Sequence, residues 1–353
     1  MRPVLLTTCL LPVLAAASAA DGPSVIRTSI LVATRMHSVY QRGTVRDETQ
    51  HSWTPRLALR LNGPIEAGSA FYVDFQQPGG KPWLTINLGT VKEAVAATGW
   101  WNWELNEGVG GNLSDEKATL TIGEHPFRIY MKNELMGSQA TLFEGTYMVK
   151  KFREYPDNPL PKFKNVYDYY VDQDWNLPMG YILTRTFQNQ YGRQVADVPR
   201  LQAVTWFRGE PGDASAFLFY QGKQIATSGE HRKDEKSIST FSTSPYTWSR
   251  ARFTFMTVLP HVVPNATTPE QFYLNKNPGD YEVRVLRGGK LTRTLKFSVG
   301  ADGKIVDPGF SAHNPTGDGR ILLPVQVLGD TDGKIDVTNW KRDAFYGQGA
   351  KGL

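Results

Sequence analysis

Tyr281-Glu282-Val283-Arg284-Val285-Leu286, Arg287-Gly288-Gly289-Lys290 and Leu291-Thr292-Arg293-Thr294-Leu295-Lys296-Phe297-Ser298-Val299 decide the fold class of this 353-residue chain. Apolar and polar residues alternate at period two. Leu291, Leu295, Phe297 and Val299 fall on one face, and Thr292, Thr294, Lys296 and Ser298 on the other. The Gly-Gly pair supplies the positive φ angles of a two-residue turn, so the stretch reads as a β-hairpin.

Working outward, Phe217-Leu218-Phe219-Tyr220, Gln221-Gly222 and Lys223-Gln224-Ile225-Ala226-Thr227 repeat the pattern as a second hairpin. Further strand-like runs lie at 26–34, 56–62, 70–76, 83–88, 118–122, 127–132, 141–151, 180–187, 201–208 and 250–259. Short strands, turn residues between them and few helical signals predict an all-β chain.

Four landmarks recur in the same order. Pro55-Arg56-Leu57 matches Pro199-Arg200-Leu201, and Ala70-Phe71 matches Ala216-Phe217. Trp100-Trp101-Asn102-Trp103 matches Tyr246-Thr247-Trp248, and the strand opening at Gly145-Thr146-Tyr147 matches Gly279-Asp280-Tyr281. Such self-similarity reads as two copies of one unit. The expectation is two tandem immunoglobulin-like β-sandwich modules, residues 21–154 and 179–300. A Pro/Tyr-rich linker, 155–178, joins them, because Tyr155-Pro156-Asp157-Asn158-Pro159-Leu160-Pro161 cannot continue a central strand. A tail, 301–353, follows.

Three short helices are expected: one capped at Thr90 and ending at Gly99, one opening at Thr268-Pro269, and one in the tail. The last runs from Asp336, as N-cap, to Tyr346, with Val337, Trp340, Ala344 and Phe345 on one stripe. Trp340 and Phe345 make a docked tail the preferred reading.

Residues 1–20 read as a secretory signal: Arg2, an apolar run from Pro3 to Leu14, and the small residues Ala15-Ala16-Ala17-Ser18-Ala19-Ala20. Cleavage near Ala19 or Ala20 removes Cys9, the only cysteine, and takes the formal net charge from +5 to +4. The mature chain then has no disulfide, thiolate metal site or cysteine nucleophile. Its predicted place is the periplasm or medium of a bacterium, with no membrane anchor. A weak net charge and no run of five or more Lys/Arg argue against nucleic acid as partner.

No catalytic motif stands out. There is no G-x-S-x-G elbow, P-loop or G-x-G-x-x-G after a strand, and Ser114-Asp115-Glu116-Lys117 lacks the companion motifs of a serine acylase. His37, His51, His125, His231, His261 and His313 are isolated in sequence. No cofactor is implied. Asp330, Asp332 and Asp336 offer oxygen ligands to Ca²⁺, but the glycine and glutamate of an EF-hand loop are missing, and a turn is preferred. Trp100, Trp101 and Trp103, with Glu104, form the most suggestive cluster. Core packing is favoured for these indoles; the alternative is stacking on sugar rings. Carboxylates that could serve a glycan enzyme are Glu104, Glu107, Asp115 and Glu116 near the tryptophans, and Asp168, Asp172 and Asp174 near the linker. Nothing in their spacing selects a pair.

The resulting expectation is an exported, non-catalytic binding protein for a protein partner or an envelope or extracellular glycan. The alternatives are a polysaccharide hydrolase or lyase at the inter-module cleft, or a structural subunit of a surface assembly.

Overall fold

The computed structural model describes residues 22–40, 49–95, 100–104, 115–186, 198–209, 211–228, 232–233, 246–263, 271–313, 319–329, 336 and 338–350. The predicted signal segment, the helix opening at Thr268, and Asp330 and Asp332 lie outside them.

The chain is mostly β. In a four-stranded sheet β3 (Thr49–Asn62) pairs with β1 (Ser24–Val25), β2 (Leu31–Tyr40) and β6 (Trp100–Glu104). A five-stranded sheet runs β5 (Lys81–Thr90), β4 (Ser69–Gln77), β7 (Gly123–Asn133), β8 (Ser138–Arg153), β9 (Tyr167–Val171). These two sheets close over a first core that includes Trp53, Leu57 and Leu61 on one side and Phe71, Phe75 and Ile129 on the other.

A nine-stranded antiparallel sheet follows. Its order is β13 (Lys223–Thr227), β12 (Ser215–Tyr220), β18 (Gly279–Arg287), β19 (Lys290–Val299), β20 (Ile321–Val327), β10 (Met179–Thr186), β11 (Pro199–Arg208), β15 (Trp248–Phe255), β14 (Arg232–Lys233). Beside it β16 (Val258–Leu259) and β17 (Phe272–Tyr273) make a parallel pair. The nine strands fold over a second core, with Leu201, Phe207, Phe253 and Phe255 facing Leu218, Val283, Val285 and Leu295.

The corner is β20. It pairs with β10 from Ile321 to Pro324 and with β19 from Val325 to Val327. Pro324, which has no N–H to donate, stands where the pairing changes sides.

Pairing order recurs between the two halves. The set β2-β3-β6 with β5-β4-β7-β8-β9 is matched by β10-β11-β15 with β13-β12-β18-β19-β20. Three of the four sequence landmarks fall on corresponding strands. The fourth does not: Gly145–Val149 is in β8, whereas Gly279–Val283 is in β18, whose positional counterpart is β7.

Both predicted hairpins form, with Gln221 at φ 48° and Gly222 at 76°, and with Gly288 at 55° and Gly289 at 74°. The face assignment of the Tyr281–Val299 hairpin needs one correction. Val285 opposes Arg293 but Leu286 opposes Leu291, so Thr292 is the extra residue of a bulge. The phase inverts there; Leu291 leaves the core at 40% exposure, while Thr292 and Arg293 are fully buried.

Other expectations are overturned. Residues 91–95 are not helical, because their backbone pairs across the chain: Val91 N–H donates to Ser69 O at 2.8 Å, and Val95 bridges Ile65. The run 118–122 is no strand beyond a single bridge from Thr119 to Trp53. The segment 155–178 is more than connecting chain, since β9 within it is an edge of the five-stranded sheet. The tail begins with the four-residue α1 (Phe310–His313), and its last helix, α2 (Trp340–Gly347), starts after Asn339, not Asp336. Asp336 instead accepts the Thr338 N–H at 2.8 Å. Ala344, Phe345 and Tyr346 depart from helical angles, and the positive φ values of Phe345 and Tyr346 send three consecutive side chains into the first core.

The halves are welded. Met179, Tyr181, Leu183, Val204 and Leu322, on the outward face of β10, β11 and β20, belong to the first core. Burying each such side chain is worth about 1.5–3 kcal/mol. At the same junction Tyr170, Leu177, Trp206 and Trp248 form a small cluster with Phe152 and Tyr246 packed on it.

Candidate ligand-binding groove

A groove of about 480 Å³ runs over the outward face of β12, β18 and β19. That volume lies in the range of small-ligand sites. Alternation builds its floor: Val283 and Val285 point to the core, so Asp280, Glu282 and Arg284 point out, as does Phe219 opposite Glu282. From β19 come Lys296, opposite Glu282, and Ser298, opposite Asp280. The β12–β13 turn closes one end with Gln221 and Gly222, and Val306 and Pro308 form a wall, anchored by Val306 N–H donating to Ser298 O at 2.9 Å.

The floor is preorganised. The Arg284 guanidinium lies 4.1 Å from the Phe219 ring centroid, a cation–π contact, and its Nε donates to Glu282 Oε1 at 2.7 Å. This hydrogen bond holds Arg284 above its ordinary pKa. Ser298 Oγ donates to Asp280 Oδ1 at 2.6 Å. Tyr220 Oη donates to Pro278 O at 3.0 Å, and Gln221 Nε2 to Tyr220 Oη at 3.1 Å, fixing the turn against the strand end. An apolar ring framed by amide, carboxylate, hydroxyl and ammonium groups can stack on one face of a sugar and hydrogen-bond its hydroxyls.

Asp280 and Glu282 share one face of β18, their Cα atoms about 7 Å apart along the strand. As a glycosidase pair they would need one carboxyl kept protonated by burial away from cations. Asp280 is exposed and Glu282 lies against Arg284.

The sequence candidates are dispersed. The backbone of Trp100, Trp101, Trp103 and Glu104 pairs as β6 with Asn62, Leu61, Leu59 and Ala58. Their side chains lie outside the described residues, as does Glu107. Asp115 opens a short 3-10 turn, and Glu116 is exposed. Asp172 pairs with Lys150 at the rim of the pocket beneath α2. Asp174 is a structural clamp: it accepts from Trp248 Nε1 at 2.9 Å and from Arg208. Asp168, buried on β9, has its pKa raised by that burial, with Glu154 adding to the rise and the Tyr169 N–H and His51 opposing it. Asp336 is exposed.

Among the described residues no three His, Cys, Asp or Glu side chains converge as a metal site, and no helix is long and apolar enough to cross a membrane. His125 is buried in a box with Trp53, Trp83 and Tyr147, and its Nδ1 lies 3.1 Å from Gln76 O. Burial lowers its pKa.

Sequence reasoning missed the groove, although its signal was present: Glu282-x-Arg284 and Lys296-x-Ser298 are the polar face of the fold-deciding hairpin. No family model matches the chain, and no curated protein does.

Proposed function

We propose that the protein is an exported, non-catalytic binding protein that holds a glycan strand in the groove over β12, β18 and β19. The observation carrying this reading is the Phe219 ring braced by Arg284 and framed by Glu282, Asp280, Lys296 and Gln221. The signal-like residues 1–20 and the absence of cysteine from 21–353 support export from a bacterial cell. The recurring pairing order supports two tandem immunoglobulin-like modules: in each half the first, second and fifth strands of the matched set form one layer, and the third, fourth and sixth onward the other.

The test is calorimetric titration of residues 21–353 against a panel of soluble neutral and acidic polysaccharides, with chain ends assayed in the same samples. Saturable binding, lost in Phe219→Ala and weakened about tenfold in Glu282→Gln, is expected, without new chain ends. New ends would replace this reading with a polysaccharide hydrolase or lyase. Silence across the panel from a folded protein would replace the glycan with a protein partner.

A further inference from the structure

One stretch of sheet edge in the nine-stranded sheet is bare, and it borders the Phe219 groove. On the side of β19 that faces β20, Thr292 O accepts the Leu328 N–H at 2.9 Å and Ser298 O accepts the Val306 N–H at 2.9 Å. Alternate residues of a strand turn their backbone groups to the same edge, so Lys296 shares this side with Thr292 and Ser298. Pairing with β20 stops at Leu295–Val325, because β20 crosses to β10, where Pro324 opposes Met179. Beyond the gap the chain returns as 304–306, with Val299 bridging Ile305 and Gly300 N–H donating to Lys304 O at 2.9 Å.

Proline stands at both borders of the gap. One step along the β20 register brings Pro324 opposite Lys296, and the register of 304–306 carried onward brings Pro308 there. Neither has an N–H to donate to Lys296 O. Ser298 N–H is also left over, because after Val306 the chain enters a turn in which Gly309 N–H donates to Asp307 Oδ1 at 2.9 Å. Among the described residues no side chain takes the place of these partners. Leu322 N–H, on the β19 side of β20, is by contrast satisfied by Ser311 Oγ at 2.8 Å.

The two unpaired groups open onto the groove. Lys296, Phe297 and Ser298 line it together with Val306, Pro308 and Leu323. Phe297 turns its ring into the core at 5% exposure, so the groove meets the strand at its backbone.

An unpaired strand edge is a template for another extended backbone. This one is a single residue long. Lys296 C=O and Ser298 N–H flank Phe297, and one extended amino-acid residue presents an N–H and a C=O on one side to meet them, as in a parallel ladder. Val306 at one end and β20 at the other leave no room for a whole strand, so the occupant is a short peptide. Phe219, on β12, stands two strand spacings from β19, about 10 Å across the same groove. A sugar on Phe219 and a peptide on β19 thus belong to one ligand.

We propose that the ligand of the groove is a glycan whose sugar units carry a short peptide. The sugar stacks on Phe219, and the peptide pairs with Lys296 C=O and Ser298 N–H. This rests on the glycan reading of the groove and names the class of glycan.

The probes are the disaccharide N-acetylglucosaminyl-N-acetylmuramic acid bearing the dipeptide L-alanyl-D-isoglutamine, the disaccharide alone and the dipeptide alone. Each is titrated calorimetrically into residues 21–353. The conjugate is expected to bind about tenfold more tightly than the disaccharide, the worth of two ordinary hydrogen bonds. Deuterium exchange of the Ser298 amide, followed by NMR, is expected to slow about tenfold with the conjugate and to stay unchanged with the disaccharide. Val306 is 48% exposed, and Val306→Trp fills the slot from its wall. That variant, checked for folding by circular dichroism and thermal melting, is expected to bind conjugate and disaccharide equally; the exchange measurement needs no variant. Equal affinities in the parent, with the Ser298 amide unprotected, would overturn the peptide slot and leave the glycan reading standing. No binding of either sugar ligand would overturn both. Dipeptide binding as tightly as the conjugate would overturn the glycopeptide in favour of a peptide ligand.

Discussion

Trp248 Nε1 donates to Asp174 Oδ1 at 2.9 Å across 74 positions of sequence, and Arg208 holds both oxygens of the same carboxylate. Asp174 belongs to the segment after β9, whereas Trp248 and Arg208 belong to β15 and β11, so one carboxylate ties the two halves together. Asp174→Ala strands a guanidinium and an indole at a partly buried junction. The expected loss is about 3 kcal/mol, read as a lower urea midpoint. The variant should also separate the unfolding into two steps, one for each core; a single transition at the parent midpoint would contradict the clamp.

The tail is held at one phenol. Tyr346 Oη accepts the Val32 N–H at 2.9 Å and donates to Ile30 O at 3.1 Å, both inside the first core. Tyr346→Phe keeps the ring but leaves a buried donor and acceptor without partners. It is expected to cost about 1–3 kcal/mol by chemical denaturation. A phenylalanine variant as stable as the parent would mean that the backbone groups find other partners.

Gly145 reports on the same docking from the opposite side. A Cβ there would stand 2.8 Å from Tyr346 O and 2.7 Å from Phe143 Cε1. Tyr346 O is a backbone atom, so the tail itself would have to shift, and Gly145→Ala is expected to lower stability by about 1–3 kcal/mol. It should also raise the rate of proteolysis after residue 338. Unchanged protease resistance would show that the tail tolerates the methyl group.

Asp168 gives a pH test. Burial raises its pKa above the ordinary 3.8, so the folded chain holds that proton more tightly than the unfolded chain does. Its contribution to stability is therefore fully present below pH 3.8 and is lost as pH rises through the raised value. Asp168→Asn keeps an oxygen for the Tyr169 N–H, which donates to Asp168 Oδ1 at 2.8 Å, and removes the buried charge. The variant is expected to melt above the parent at pH 7 and together with it near pH 3.5. Equal melting temperatures at both pH values would show that His51 already offsets the burial of the charge.

Period-two alternation and the Gly288-Gly289 turn were enough to place β18 and β19, because a hairpin is a local structure whose turn and strands are contiguous. The same held for Phe217 to Thr227. Of the four recurring landmarks, three lie on strands with matching places in the pairing order, and the fourth does not, because β8 and β18 share composition without sharing place. The helix expected at Thr90 failed for a non-local reason: Val91 and Val95 give their backbone groups to Ser69 and Ile65.

Sequence by itself determined the all-β class, the hairpins and the polar face that floors the groove, because alternation records which side of a strand meets water. Tertiary structure decided the rest. Only it set β20 as the corner of the second layer, sent Phe345 and Tyr346 into the first core, and bared the edge of β19 from Lys296 to Ser298 beside the groove. Those relations join segments far apart in the chain, and their energy lies in shared burial and register, which no local pattern of residues records.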